Sequence, residues 1–322
     1  SHIDSHIYSY YNFILLGKYE NYLNTLSISD NVIAYRKIEI NETKKGKSNI
    51  HFAKEVFDYI QTRDESVVIT QDIEGFFDNI NHGILKEKIC KVTGVDKLDD
   101  VLFKVFKSLT KYRYIEYANF ENEKFKRKIR NNKYSIYKAL EGVFKENKSY
   151  KGIPQGSPIS GLLANMSLID FDNDIHKKFP DVFYRRYSDD LVFVCSKDQE
   201  KSVLEFVDNK IKEACLKINA KKSFISYFKK VNGNLLCEEV TNGLHKKLGR
   251  NYVDYLGLEF DGTRILLRKN TIQKLKYKQI VKTEKRLLNT IKQERRKPKK
   301  VREVAIKGRS NYFKKAVNVI DN

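Results

Sequence analysis

Residues 67–77, VVITQDIEGFF, and residues 186–194, RYSDDLVFV, decide how this chain folds. In the first, Val67, Val68 and Ile69 read as a short buried strand running into Asp72, followed by Gly75 and the aromatics Phe76 and Phe77. In the second, Asp189 and Asp190 sit in a turn between two apolar strands. Carboxylates placed this close to apolar runs are costly to bury unless a cation neutralises them. Mg²⁺ suits such a set, because it takes hard oxygen ligands and keeps positions open for phosphate oxygens. Two such ions can stabilise both the attacking and the leaving oxygen of an in-line displacement on phosphorus. Asp72 and Asp189 are far apart in sequence, so only a fold that pairs the two strands can join them. Taken singly, an Asp pair in a turn also fits a solvated turn, and a strand-ending Asp also fits a helix cap.

A third stretch, residues 151–161, KGIPQGSPISG, holds two prolines, three glycines and Gln155, and a helix follows over residues 160–169. A glycine-rich turn before a helix lets backbone approach a phosphate, base or sugar. It is no Walker A loop, since no Lys-Ser/Thr pair follows the second glycine. Alone, it also fits an ordinary Pro/Gly turn.

Working outward, residues 1–34 are weakly charged and rich in Tyr, Ile and Leu, and predict one or two helices packed on the body. Residues 34–40, AYRKIEI, look like a strand. Phe52, Ala53, Val56, Phe57 and Ile60 recur with helical period, as do the apolar residues of 202–217. Residues 83–150 read as helical and basic, with Lys124, Lys126, Arg127, Lys128, Arg130 and Lys133 close together. Residues 252–260 and 263–268 predict a hairpin joined through Asp261 and Gly262. From Thr271 the chain is helical and strongly basic, with fifteen Lys and Arg against three Glu over residues 271–310, until Pro298 breaks the helix.

The balance of 62 Lys and Arg against 41 Asp and Glu leaves +21 in 322 residues, which points to a polyanion, either nucleic acid or an anionic membrane surface. With 20 Tyr and 19 Phe the chain can build a core, so general disorder is excluded. No apolar run approaches the roughly 20 residues of a membrane span, and the start of the chain carries no signal-peptide pattern. The single Met is Met166, so the expectation is a processed start or a fragment. Cys90, Cys195, Cys215 and Cys237 form no C-x-x-C pair, which favours reduced thiols and a cytoplasmic setting over zinc or disulfides.

Together these segments resemble the reverse transcriptases, in particular the prokaryotic superfamily of group II intron, retron and phage-defence enzymes. Residues 72–82, DIEGFFDNINH, resemble the first palm motif of that family, and residues 152–158, GIPQGSP, the second. Tyr187-Ser188-Asp189-Asp190 resembles its Y-x-D-D box, and residues 219–223, NAKKS, the fourth motif. Residues 255–258, YLGL, resemble the primer-grip hairpin, and residues 35–38, YRKI, the fingers motif that meets the incoming triphosphate. The resemblance covers about residues 35–270, with the motifs in order.

It implies an α+β right-hand polymerase: fingers, an RRM-like antiparallel palm sheet with helices, and a helical thumb. The implied division is an N-terminal helical extension at 1–34, fingers at 35–71, the first palm motif at 72–82 and a helical insertion at 83–150. The palm with YSDD box and primer grip then takes 151–270, and a basic thumb takes 271–322. The implied activity is RNA-directed DNA polymerisation, by phosphoryl transfer at two Mg²⁺ ions held by Asp72, Asp189 and the Ile73 carbonyl, with Asp190 as a supporting acid. Gly75, Phe76 and Phe77 would border the nucleotide, with Phe77 matching the steric gate that rejects a 2′-hydroxyl and Phe76 packing the palm. Gln155 and Gly156 would line the nascent pair, and Arg36 with Lys37 would neutralise the triphosphate. Lys222 is the candidate proton donor to pyrophosphate, or a surface lysine, and Leu256 with Gly257 would grip the primer. His82 reads as a helix-start residue.

No maturase-length segment, RNase H or integrase pattern follows the palm motifs, and Val92-Thr93-Gly94 falls far from where retron enzymes carry that signature. The fingers segment and the Tyr-Ser-Asp-Asp box look most like the abortive-infection and defence-associated group. The implied partners are dNTPs, an RNA template, a DNA or RNA primer and a dedicated noncoding RNA, with no membrane. Untemplated or protein-primed synthesis at the same site, and a non-catalytic nucleic-acid-binding scaffold, are the alternatives.

Overall fold

A computed structural model describes all residues except 1, 41–44, 117, 122–126, 128–142, 239–250 and 295–322. The chain divides into two compact units, Ser1–Ile265 and Leu266–Asn322. The basic run at residues 124–133 lies almost wholly outside the described residues, and so does the expected break at Pro298.

The first unit is built on a five-stranded antiparallel sheet of order β4-β5-β1-β6-β7. Its strands are β1 (Glu65–Asp72), β4 (Phe183–Tyr187), β5 (Asp190–Cys195), β6 (Phe224–Val231) and β7 (Asn234–Glu238). Two residue pairs, Arg113–Tyr114 (β2) and Lys145–Glu146 (β3), form a separate small ladder. Alternation along the central strands sends side chains to two cores. Val67, Ile69, Leu191 and Phe193 join a large core that also takes residues from α1 (His2–Thr25) and α4 (His82–Thr93). Val68, Val192, Val194 and Phe228 join a second core with α2 (Asn49–Gln61) and the hairpin β8 (Val253–Tyr255) and β9 (Leu258–Phe260). Stacked rings of Phe57, Phe260 and Phe228, 5.0 and 5.8 Å apart in sequence of contact, fill that second core.

Residues 1–34 contribute one long helix, whose Leu15, Tyr19 and Leu23 are buried in the large core. Two further short elements are α3 (Phe76–Asn79) and α5 (Asp100–Thr110), the latter capped by Asp99, whose carboxylate accepts from the Val101 and Leu102 amides. The expected strand at residues 34–40 does not form. In place of a strand ladder there are isolated bridges, Val32 with Arg186 and Glu39 with Gly46, the latter flanked by backbone bonds from the Ile40 amide to the Lys45 carbonyl and from the Lys47 amide to the Ile38 carbonyl. Side-chain hydrogen bonds replace a ladder there, as described below.

The expected hairpin forms: β9 is bonded to a further strand, Ile265–Leu267, across the turn at Asp261-Gly262, where the Asp261 carboxylate accepts from the Thr263 and Arg264 amides. The stretch 252–260 is not one strand but two, β8 and β9, joined by a tight turn at Leu256-Gly257, both with positive φ (50° and 88°). A hairpin the sequence reading passed over joins β6 to β7 through Asn232-Gly233, again both at positive φ. In the second unit, one helix runs Lys269–Glu294 and exposes Ile272, Leu275, Tyr277, Ile280, Leu287 and Leu288.

Candidate active site

Pairing of β1 with β5 puts Asp72 directly opposite Asp190. Asp189 occupies the turn between β4 and β5, and its carbonyl accepts the Ile73 amide at 3.0 Å, which locks the turn to the end of β1. Ser188 opens that turn with φ +62°, the left-handed backbone a two-residue hairpin needs and one that costs a non-glycine residue about 1 kcal/mol or more. Behind the turn lies a fully buried ion pair, Arg186 with Asp172. The Asp172 carboxylate accepts from Tyr184 Oη at 2.7 Å and Arg186 Nε at 2.8 Å, while Arg186 also donates to Asn165 Oδ1 at 3.1 Å and to the Ser188 carbonyl at 3.3 Å. The strained turn is therefore held from beneath.

Burial, reinforced by the neighbouring Asp72 charge, raises the Asp189 pKa above the ordinary carboxylate range. Lys222 donates to both Asp72 oxygens, at 3.0 and 3.1 Å, and this bond raises its pKa. Asn219 adds a donor to Asp72 Oδ1 at 3.1 Å. Among the described residues no group of three or more His, Cys, Asp or Glu side chains closes on one point. A repelling pair of carboxylates at a strand end nevertheless fits a Mg²⁺-type ion, which uses one or two protein carboxylates and takes its other ligands from water and phosphate. Ile73 itself is buried and bridged to Ile218, which places its carbonyl at the same strand end.

Beyond Asp72 the chain turns sharply. Gly75 has φ +54°, and a Cβ there would come within 2.9 Å of Asn79 Nδ2. The turn starts α3 and sends Phe76 and Phe77 into the large core, with their rings 5.7 Å apart. The glycine-proline stretch is laced to this element: the Ile153 amide donates to the Phe77 carbonyl and the Gly152 amide to the Ile80 carbonyl, both at 2.9 Å. Gln155 and Gly156 are thereby brought beside Phe77, and with Tyr35, Leu162 and Asn12 of α1 they line an open cavity of 410 Å³. None of the three acids lines this cavity, nor a larger one of 470 Å³ lined in part by Lys47, Glu55, Tyr59 and Arg185. His82 begins α4 and bonds the Gly152 carbonyl through its ring, at 2.7 Å.

Two expected residues lie elsewhere. The Arg36 guanidinium is buried against Glu20 of α1, with further bonds to Ser29 Oγ at 2.8 Å and to the Ser29 and Val32 carbonyls. A guanidinium so enclosed has its donors committed and faces no phosphate. Lys37 is exposed and pairs with Glu39 at 2.7 Å. Leu256 and Gly257 form the β8–β9 turn, in the unit that carries the acids. Tyr35, which the sequence reading did not single out as a site residue, is the residue of that segment that lines the cavity. The Asp172–Arg186 pair was also missed, because an acid on a helix and a basic residue on a strand carry no sign of burial.

No curated protein matches the sequence significantly. The chain is similar to the apo telomerase from Candida tropicalis truncated from its C-terminal domain, at 17% identity and TM-score 0.46, with 79% of this chain and 44% of that one covered. It is also similar to telomerase from Candida albicans in complex with the TWJ fragment of telomeric RNA, at 14% identity and TM-score 0.47, with 80% and 37% covered. The chain thus spans less than half the length of either structure. The model of the family described as reverse transcriptase (RNA-dependent DNA polymerase) matches residues 18–260, a span that holds the five paired strands, the acids and every residue named at the cavity except Asn12. The chain belongs to the reverse transcriptase family.

Proposed function

We propose that this chain is an RNA-directed DNA polymerase that extends a primer with deoxynucleotides at two Mg²⁺ ions. The observation that carries this reading is the meeting of Asp72 with Asp189 and Asp190 at one strand end, from which the chain runs directly into Phe77 and the cavity that it borders. Asp72, Asp189 and the Ile73 carbonyl would hold the ions, which when bound would neutralise charge on the reacting phosphate oxygens. Lys222, 64% exposed in its side chain and seated on Asp72, is placed to donate a proton to the departing pyrophosphate. Phe77 closes the sugar side of the cavity and rejects a 2′-hydroxyl, while Gln155 and Gly156 back the nascent pair. The template is RNA, the primer DNA or RNA, and the basic residues from 271 onward grip the duplex backbone.

A role in bacterial antiphage defence, with a dedicated noncoding RNA, is part of the proposal and is supported by the YRKI and YSDD segments alone. Primer extension on an RNA template, with wild type and Asp189→Asn side by side, tests the enzymatic reading. Incorporation of dNTPs by wild type and none by the variant is expected. Equal activity in the two would sink the site assignment, and untemplated addition by wild type would replace the templated reading.

A further inference from the structure

Tyr35 is the only residue of the 34–40 segment whose side chain lines the 410 Å³ cavity, and its backbone is arranged to put it there. It adopts φ +58°, an uncommon conformation for a bulky residue. Both neighbours are pinned. The Ala34 carbonyl accepts from Asn165 Nδ2 at 2.7 Å, a fully buried bond, and Arg36 is clamped by Glu20, Ser29 and Val32. Between these anchors the Tyr35 ring stands half exposed. It meets Phe77 edge to face, with ring centroids 6.3 Å apart and planes at 89°. The ring also lies against Gly161, where an added Cβ would come within 2.5 Å of it. A strained residue held between two buried anchors, against a position with room only for glycine, is a built feature.

Resting on the reading of Phe77 as the sugar gate, we infer that Tyr35 is a second determinant of sugar selection: it buttresses the Phe77 ring and keeps it from yielding to a 2′-hydroxyl. Phe77 is held on its inner side by Phe76, so its freedom to swing toward the cavity is limited by Tyr35. Removing one edge-to-face partner lets the gate ring tilt, and the ribonucleotide gains access.

The test is the ratio of kcat/KM for a dNTP to that for the matching rNTP, a quantity that a merely structural role would not move. Tyr35→Leu is expected to lower this ratio by roughly 3- to 10-fold, the size of one aromatic pair, and Tyr35→Phe to leave it as in wild type. Gly161→Ala, whose Cβ would come within 2.5 Å of the ring and force it from its seat beside Phe77, should lower the ratio with residue 35 still tyrosine, and serves if the leucine variant fails to fold. Phe77→Val should lower the ratio further, and Tyr35→Leu in that background should add nothing, because Tyr35 acts through the ring already removed. If Phe77→Val relaxes selection while Tyr35→Leu and Gly161→Ala do not, the inference about Tyr35 falls and the gate stands. If Phe77→Val leaves the ratio unchanged, the gate reading itself falls, and the inference with it. A wild-type chain that incorporates neither sugar overturns the polymerase reading and everything resting on it.

Discussion

Replacing Asp172 by Leu removes one half of a fully buried ion pair and leaves the Arg186 guanidinium without a counter-charge beneath the Ser188-Asp189 turn. Breaking such a pair from one side costs about 3–5 kcal/mol, because the remaining ion stays desolvated. Arg186 keeps Asn165 Oδ1 at 3.1 Å and the Ser188 carbonyl at 3.3 Å, which satisfy donors but supply no charge. Tyr184 loses the acceptor it holds at 2.7 Å, worth about 1 kcal/mol more. The expected loss is therefore about 4–6 kcal/mol. At about 2–4 °C per kcal/mol for a unit of this size, the midpoint should fall by about 8–24 °C. The double variant Asp172→Leu with Arg186→Met removes both charges together and should recover most of that stability. It should not recover nucleotide incorporation, since the Ser188 carbonyl then has no guanidinium to hold it. Calorimetry and urea titration of the four-member cycle measure the coupling. A single variant that loses under about 1 kcal/mol, or a double variant no more stable than the single, would refute the account of the pair.

Asp189→Asn should abolish incorporation yet raise the melting temperature of the metal-free protein at neutral pH. The carboxyl binds its proton more tightly folded than unfolded, so the stability linked to this group is complete below the unfolded value of about 3.9 and is lost as pH rises through the raised folded value. A lower melting temperature for the variant would contradict the sign. Arg36→Lys keeps the charge but not the fork that holds Glu20, Ser29 and Val32, so it should destabilise the fold by about 1–3 kcal/mol. A triphosphate clamp would instead be rescued by Lys, so a variant of wild-type stability with only a raised dNTP KM would restore the role first expected from sequence. Neutralising Arg295, Arg296, Lys297, Lys299 and Lys300 should weaken binding to all RNA–DNA hybrids alike and flatten the log–log salt slope by up to about one unit per lost phosphate contact. An unchanged slope would leave those residues no part in grip.

The meeting of the acids was legible in sequence because unbroken apolar runs lead up to Asp72 and away from Asp190, the mark of strands buried on both faces. The apolar runs before Asp72 and around Asp189-Asp190 admit few structures other than paired strands, and pairing brings the three together. Phe77 followed from its fixed offset from Asp72. Arg36 was misread because its true partner, Glu20, lies sixteen residues earlier on a helix, and no local pattern connects them. The same enclosure explains why residues 34–40 are not a strand: their polar groups are satisfied by Glu20, Ser29, Asn165 and one another rather than by a neighbouring ladder. The β6–β7 turn was legible, since Asn232-Gly233 is the strongest short hairpin signal, and was simply passed over. The Leu256-Gly257 turn was legible only through the resemblance of YLGL to the primer-grip hairpin, because leucine at positive φ follows from no local rule of turn composition.

The strand order has a consequence for how the enzyme fails with heat. Asp72 rides on the middle strand of five and Asp190 on its inner neighbour, while the sheet edges fall to β4 and β7. Amide exchange by local fraying starts at edges and spares strands hydrogen-bonded on both flanks, whose protons leave only when the whole unit opens. The amides of β1 should therefore be among the slowest in the protein to exchange with deuterium. The proposed site, carried on such a strand, keeps its geometry until the unit melts, so thermal inactivation should track global unfolding instead of preceding it.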